Sequence, residues 1–338
     1  MQTPYRARKR GAAPSEAGRS SRILYLDQNA WIALARGAWD KSAHPAEHRA
    51  LATLIDGIKQ HGLIVPLSFA NMYETMKVNI PARRLNLARF QAVISSGRVF
   101  RGRRRILADT VREYLATHFE LARPRPPDRW FLSDLWLEAA ADYSAELYDF
   151  QVSDGVLQYI RENPVESLLD YLAFTDEEIR AEAVRRYSAG SADLVAAIEG
   201  RRAIASGASF ALRKRAYGAR LIIDECDFIL ETGRDLGLRW TDVRDIGSHL
   251  VRRLVVDIPL FNVERELVVR LEDQKRPIHE NDLRDLSAFT TALPLADMII
   301  AEKPFVNLAR QARLDVRYGT AMLTSVFDFT LNMLDALL

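Results

Sequence analysis

The sequence predicts an α/β fold: a parallel β-sheet flanked by helices, with a long all-helical insertion between its two halves. Three observations support this class. Apolar runs typical of buried strands occur at residues 23–26, 63–69 and 297–301. Helical patterns alternate with the first two runs, as in a parallel sheet. Between residues 101 and 276 the pattern is almost purely helical.

The first predicted strand covers residues 23–26, four apolar residues bounded by Arg22 and Asp27. Such a run is typical of a strand that is covered on both faces. A short helix is predicted next and Gly37 is expected to end it. Leu51, Leu54, Ile55 and Ile58 predict a second helix, which Gly62 closes.

The second apolar run, residues 63–69, predicts another strand, although Pro66 cannot donate a ladder hydrogen bond. Ser68 is a suitable N-cap for the following helix, which carries Glu74. Four segments are therefore predicted: a disordered basic tail at 1–20, α/β halves at 21–100 and 277–338, and the helical insertion at 101–276.

Within the insertion, helix starts are predicted at Ser133, Thr175 and Ser191. Glycines are expected to break the helices at positions 190, 200, 207, 218 and 237. The second α/β half predicts a helix from Asn281 onwards and a break at Pro294. A strand at 297–301 then ends at Glu302, and a helix, a last strand at 320–325 and a C-terminal helix follow.

Composition predicts a globular cytoplasmic protein. Hydrophobic residues make up 48% of the chain and charged residues 27%, with a formal net charge of +2. The single cysteine, Cys226, excludes an intramolecular disulfide and a Cys-rich zinc site. No apolar stretch is long enough for a membrane span, and neither a secretory signal nor a glycine-rich phosphate loop is present.

Four acids are the strongest candidates for chemistry: Asp27, Glu74, Asp285 and Glu302. Asp27 and Glu302 end predicted strands, and Glu74 and Asp285 lie on early turns of helices that begin at the same edge. Ligands of open parallel sheets bind outside this edge. Clustered carboxylates repel one another and need cations, and oxygen ligands suit Mg²⁺ or Mn²⁺. Such ions activate water and stabilise phosphodiester charge.

Each acid also has a structural interpretation. Asp282 and Asp285 share a face and could serve the helix N-terminus, so Asp282 is an auxiliary metal ligand at most. Asp297 competes with Glu302 for the last ligand position, and Glu302 is favoured because it closes the strand. Gln28, Asn29 and Ser68 are the candidate supporting residues.

The segment from Asp285 to Leu293, followed by residues 298–305, resembles the third and fourth acidic motifs of PIN-domain ribonucleases. Tyr25-Leu26-Asp27 resembles the first motif, Glu74 after Ser68 the second, and residues 322–325 the last strand. In this sequence Ala301 and Glu302 stand where the family usually has Thr and Asp. The long helical insertion also departs from the family's compact form.

The resemblance implies Mg²⁺- or Mn²⁺-dependent cleavage of RNA by an endoribonuclease, in a toxin or phage-defence setting. It leaves open that an antitoxin or another protein binds the insertion, and that the protein forms an oligomer. The alternative is a catalytically inactive PIN-like scaffold that binds RNA or a protein. A different acid-cluster phosphohydrolase is the third interpretation of the same acids.

Five arginines in eight residues form the other candidate: Arg98, Arg101, Arg103, Arg104 and Arg105. Such a cluster can contact RNA phosphates and make binding salt-dependent. The structural alternatives are a solvated basic turn, or a helix start that is paired with acids of the insertion.

Overall fold

The structure is a computed structural model that describes residues 21–122, 126–140 and 152–336. The predicted basic tail at 1–20, with Arg6, Arg8, Lys9 and Arg10, lies outside the described residues. Among the helices that are described, none combines the length and the apolar character needed to cross a membrane.

Three short parallel strands form the main sheet: β1 (Leu24–Leu26), β4 (Met298–Ile300) and β5 (Ala321–Leu323). The strand order is β1-β4-β5, with Leu24 opposite Met298 and Met298 opposite Ala321. A separate antiparallel ribbon pairs β2 (Val99–Phe100) with β3 (Leu132–Ser133). The structure thus confirms a parallel sheet flanked by helices, in a chain that is mostly helical.

The helices enclose this sheet. In chain order they are α1 (Gln28–Trp39), α2 (Pro45–His61), α3 (Phe69–Met76), α4 (Pro81–Ser95), α5 (Arg103–His118), α6 (Asp154–Glu162), α7 (Pro164–Phe174), α8 (Glu177–Ile204), α9 (Phe210–Asp224), α10 (Cys226–Asp235), α11 (Val243–Ile246), α12 (Ser248–Asp257), α13 (Pro259–Glu272), α14 (Glu280–Ala292), α15 (Lys303–Gln311), α16 (Leu314–Tyr318) and α17 (Leu331–Asp335).

Gly37 does not end the first helix, contrary to the prediction. It lies inside α1, where a Cβ atom would come within 2.5 Å of the backbone nitrogen of His48. The glycine therefore serves the close approach of α1 to α2, which its sequence position alone does not reveal. Gly62 does end α2, in the left-handed conformation expected of a helix C-cap.

The strand predicted at 63–69 is mostly irregular. Ile64 forms one parallel bridge with Ile23, and Leu67 forms another with Val99. Pro66 lies between these bridges and cannot donate to a ladder, which explains why no continuous strand forms. Ser68 caps α3 as predicted, in a reciprocal capping box with Asn71.

Two of the three predicted helix starts in the insertion are wrong, and the third is displaced by one residue. Ser133 lies in β3, Thr175 is followed by Asp176 as the actual cap of α8, and Ser191 lies within α8. Asp176 accepts hydrogen bonds from two backbone N–H groups, so it outcompetes the threonine.

The predicted glycine breaks have mixed outcomes. The glycines at 190, 200 and 218 lie inside α8 and α9 and do not break them. Only Gly218 is closely packed, since a Cβ atom there would come within 2.9 Å of Val255. The glycines at 207 and 237 follow helices α8 and α10 with positive φ, as expected.

Successive side chains of each strand point to opposite faces of the sheet, so the hydrophobic core is divided into two clusters. Leu24, Leu26 and Ile300 pack into one hydrophobic cluster with α1 and α2. Tyr25 and Ile299 pack into the other, together with side chains of α5, α12, α13 and α14. Helices of the 101–276 region therefore share a core with the sheet that they interrupt. The segment boundaries themselves stay a prediction.

Candidate functional site

Asp27 follows β1 directly and is 8% exposed. Its carboxylate caps α1 by accepting a hydrogen bond from the Ala30 N–H at 2.8 Å. Its own N–H donates to the Ile300 carbonyl of β4 at 2.9 Å. The side chain is thus fixed at the carboxyl edge of the sheet, with one oxygen occupied by the cap.

Glu302 stands at the same edge, because β1 and β4 are parallel neighbours. It is the N-cap residue of α15 but makes no capping hydrogen bond with its side chain. Instead it is exposed and accepts a hydrogen bond from Asn29 Nδ2 at 2.5 Å. Asp27, Asn29 and Glu302 line one open cavity of about 430 Å³.

Asp285 lies on the second turn of α14 and is half-buried. Within the described part of the chain, its carboxylate takes part in no hydrogen bond or ion pair. Burial, and after it the charges of Glu302 and Asp27, raise the pKa of Asp285 to about 8. The charges of Glu302 and Asp27 therefore act on Asp285, and like charges that act on one another in this way are mutually repulsive.

The pKa of Asp27 is raised by the same kinds of effect. Burial raises the pKa of Asp27 to about 6; the hydrogen bond from Ala30 opposes this shift and the charge of Glu302 adds to it. Tyr25, fully buried behind the acids, has a phenol pKa raised by burial and next by the charge of Asp27. A low-dielectric wall thus backs the cluster and strengthens its internal repulsion.

Glu74, the other predicted catalytic acid, is engaged by an arginine. It lies on α3 and forms an ion pair with Arg284, a buried residue of α14. Arg284 also pairs with Glu280 at 2.7 Å and donates to the side chain of Asn281. Glu74 stays a predicted ligand, but as placed its carboxylate is occupied by this contact.

The two auxiliary acids are also engaged. Asp282 accepts two hydrogen bonds from Arg276, at 2.7 and 2.6 Å, and one from the His279 N–H. Burial opposes ionisation of Asp282, but the Arg276 bonds hold its pKa below the ordinary value. Asp297 precedes β4 and accepts a hydrogen bond from the Ile23 N–H at 3.0 Å. It lies at the opposite end of the strand from Glu302.

The supporting residues divide into two groups. Asn29 contacts Glu302, as described above. Gln28 faces away into a polar network in which its amide donates to Thr75 at 3.0 Å and accepts from Gln91 at 3.3 Å. Ser68 pairs with Asn71, whose amide donates to the Leu26 carbonyl at 3.2 Å. These bonds fix the loop before α3 to the end of β1.

Sequence reasoning missed three residues of this region. Arg284 was not recognised as a residue of this region because a charged residue inside a helix usually faces solvent. Its position four residues after Glu280, where the two side chains can form an ion pair, was the feature of the sequence that indicated it. Lys303 and Phe327 also line the cavity, and Phe327 is 53% exposed. For Phe327, the feature of the sequence that indicated it was an aromatic residue two positions after Ser325, in a polar turn.

The donor chemistry of the cluster suits a hard divalent cation, since Asp27, Asp285 and Glu302 offer only oxygen. As the side chains are placed, however, the described residues contain no group of three or more His, Cys, Asp and Glu positioned to hold a metal ion. The three carboxylates are close enough to repel, but a cation would have to draw them together.

The arginine cluster is extensively paired with acids. Each of its five members has a partner: Arg98 with Asp134, Arg101 with Glu138, Arg103 with Glu225 and Glu264, Arg104 with Glu225, and Arg105 with Asp109. This arrangement corresponds to the structural alternative of a helix start paired with acids of the insertion. The pairing reduces the positive charge available for RNA phosphates, so RNA contact by this cluster stays a prediction.

Comparisons with protein-family models, with curated proteins and with solved structures found no significant match to this chain.

Proposed function

We propose that this protein is a PIN-like, Mg²⁺- or Mn²⁺-dependent endoribonuclease whose site is formed by Asp27, Asp285 and Glu302. The observation that supports the proposal is the convergence of three acids from distant parts of the chain at the carboxyl edge of one parallel sheet. An open cavity of about 430 Å³ at that edge gives a polymer access.

The three acids have different roles in this proposal. Asp27 is held rigidly by its cap to Ala30, so it provides a fixed ligand. Asp285 has no competing partner among the described residues and is free to turn toward a cation. Glu302 is positioned by Asn29 and faces the cavity. A bound Mg²⁺ or Mn²⁺ would activate water and neutralise phosphodiester charge.

Two side chains at the cavity rim suit an RNA strand. Lys303 is exposed beside Glu302 and supplies a positive charge for a phosphate. Phe327 presents an exposed ring on which a base can stack. Stacking on an aromatic residue contributes about 1–3 kcal/mol per base.

The Phe327→Ala variant is therefore expected to bind a short oligoribonucleotide about tenfold more weakly than wild type. Fluorescence anisotropy in the presence of Ca²⁺ in place of Mn²⁺ measures this affinity. Phe174→Ala is the matched control, because Phe174 is an exposed phenylalanine at the end of α7, outside the cavity, and is 62% exposed. Equal affinities of all three proteins for the oligoribonucleotide would show that Phe327 does not contact the bound RNA.

The decisive experiment compares Mn²⁺ binding by calorimetry in wild type, Asp285→Asn and Asp282→Asn. The third protein is a matched control, because Asp282 lies one turn earlier on the same helix but is held by Arg276. We expect Asp285→Asn to weaken Mn²⁺ binding at least tenfold and to abolish Mn²⁺-dependent RNA cleavage. Asp282→Asn is expected to retain both.

Two outcomes would point to a different function. Absence of Mn²⁺ binding by wild type, even with an RNA oligonucleotide present, would overturn the nuclease proposal. It would favour a non-catalytic scaffold, which the engagement of Glu74 and Asp282 by arginines also suits. Metal-dependent hydrolysis of small phosphate esters without RNA cleavage would instead identify another phosphohydrolase.

A further inference from the structure

A second cavity, of about 370 Å³, opens at the opposite end of β1 from the acid cluster. Ile64 lines it and pairs with Ile23, which immediately precedes β1. Arg129, another lining residue, donates a hydrogen bond to the Ser21 carbonyl at 3.4 Å. Ile23 and Asp27 are about 13 Å apart along an extended chain, so the two cavities are separate sites.

The wall of this cavity carries more positive than negative charge. Of the described residues that line it, four are arginines and two are acids: the arginines are Arg98, Arg101, Arg129 and Arg161, and the acids are Asp134 and Glu138. Arg98 is paired with Asp134 at 3.4 Å and Arg101 with Glu138 at 3.0 Å. These two pairs account for both acids of the wall.

The other two guanidinium groups have no strong acidic partner in the part of the chain that the structure describes. Arg129 faces only its neighbour Asp128, at 3.9 Å, and that carboxylate is largely exposed and lies outside the cavity wall. Arg161 projects from the end of α6 and pairs with no acid in the described segments. Among the described residues, the cavity wall therefore carries about two uncompensated positive charges.

The framework that presents these charges is hydrogen-bonded and preorganised. Arg101 is held by a bond from its N–H to the Phe131 carbonyl at 2.9 Å, across the β2–β3 ribbon. The next N–H, of Gly102, donates to the Glu138 carbonyl at 2.7 Å. Arg129 has φ of 54°, a left-handed conformation that costs a non-glycine residue free energy and is often associated with function.

The chemistry of the wall identifies the class of ligand. A phosphate monoester carries about −1.5 to −2 charge at neutral pH, which matches the excess of two guanidinium groups. Arginine forks bind phosphate oxygens in pairs, with charge-assisted hydrogen bonds. Ile64, Leu132 and Leu135 add apolar surface beside the arginines, and the volume suits a ligand of nucleotide size.

We propose that this cavity binds a nucleoside 5′-monophosphate, with its phosphate between Arg129 and Arg161 and its nucleoside against Leu132 and Leu135. The site requires neither the acid cluster nor a divalent cation. Its existence is therefore independent of the nuclease proposal, and each can fail without the other.

Calorimetric titration of the full chain with adenosine 5′-monophosphate, in EDTA, tests the proposal. EDTA removes divalent ions, so the acid cluster cannot hold the phosphate. We expect binding that is stronger than that of inorganic phosphate or adenosine alone, and that weakens as salt is raised. Arg161→Glu should lower the affinity at least tenfold.

Two control variants distinguish this cavity from diffuse surface charge and from the acid cluster. Arg105→Glu removes an exposed arginine that is paired with Asp109 outside the cavity, and it should bind the nucleotide as wild type does. Asp285→Asn should also bind it unchanged. Because Arg161 is exposed and unpaired among the described residues, its replacement should leave the melting temperature unchanged.

The proposal is overturned if the nucleotide does not bind at millimolar concentration. It is also overturned if Arg161→Glu and Arg129→Ala both bind it with wild-type affinity. Equal losses in Arg105→Glu and Arg161→Glu would show a diffuse surface charge effect rather than a built site, and would likewise reject it.

Discussion

The metal-free protein is expected to lose stability as the pH rises from about 4 to about 8, and Asp285→Asn is expected to remove most of that loss. In the folded state the pKa of Asp285 is raised from 3.8 to about 8, first by burial and then by the charges of Glu302 and Asp27. The pKa of Asp27 is raised to about 6. Both shifts have the same direction.

The sign of the effect follows from proton binding. Between the unfolded and folded pKa values, the folded protein binds more protons than the unfolded chain, so the free energy of unfolding falls with rising pH. The contribution of these groups is complete below about pH 4 and is lost by about pH 8. Asp282, whose pKa is lowered, titrates below this window and does not mask the effect.

Urea unfolding in EDTA at several pH values measures the profile. Asp285→Asn should raise the free energy of unfolding at pH 8 by roughly 2–4 kcal/mol, because an amide carries no charge to desolvate. At pH 4 wild type and variant should be nearly equal. Asp193→Asn, which changes an exposed aspartate of α8, should follow the wild-type profile.

Addition of Mn²⁺ at pH 8 gives a second test that rests on the proposed function. A cation that binds only the folded state stabilises it by about 2.7 kcal/mol at a hundred times its dissociation constant. Wild type should gain this stability, whereas Asp285→Asn should not. If the pH profiles of wild type and Asp285→Asn were parallel in EDTA, the three carboxylates would not be close together in solution.

The acids at the ends of strands were predictable from the sequence, because their position depends on local patterns. A buried apolar run followed at once by Asp27, and another followed by Glu302, places both at one edge once the strands are parallel neighbours. Asp285 was predictable for a related reason, since it lies on an early turn of the helix that precedes the strand ending at Glu302. In the structure the charges of Glu302 and Asp27 act on Asp285, although these described carboxylates are not placed to hold one ion together.

The partners of the other acids were not predictable, because ion pairs form between segments far apart in the chain. Glu74 and Arg284 are separated by 210 positions, and no local pattern links them. The arginine cluster shows the same limit: its spacing resembles a phosphate-binding patch, yet Glu225 and Glu264 approach it only in the folded chain. The position of Gly37 inside α1 was also not predictable, because it depends on how closely α1 approaches α2.

Arg284→Ala is expected to destabilise the protein by about 3 kcal/mol, the second large effect that follows from the structure. Arg284 is 7% exposed and is held by Glu74 and Glu280 from two different helices. Its guanidinium also lies 5.8 Å from the ring centre of Tyr73. Truncation leaves the partly buried carboxylate of Glu74 without its counter-charge, whereas Glu280 keeps its ion pair with Lys77 at 3.6 Å.

Urea unfolding at neutral pH measures this change. Arg185→Ala is the matched control: Arg185 is an exposed arginine of α8 whose single acidic partner among the described residues is Glu182 on the same helix, so no measurable change is expected. The double variant Arg284→Met/Glu74→Leu should recover much of the lost stability, because it leaves fewer unpaired charges. A loss in Arg284→Ala no larger than that in Arg185→Ala would contradict the buried ion pair.

Replacement of the other partner in this ion pair tests the place of Glu74 in the site. If Glu74 serves only to hold Arg284, then Glu74→Gln should leave Mn²⁺ affinity within about threefold of wild type while lowering stability. If Glu74 is a metal ligand, Glu74→Gln should weaken Mn²⁺ binding as strongly as Asp285→Asn does. Because α3 and α14 meet through this ion pair, the comparison decides whether the second acidic position contributes charge to a cation or only fixes the helix that carries Asp285.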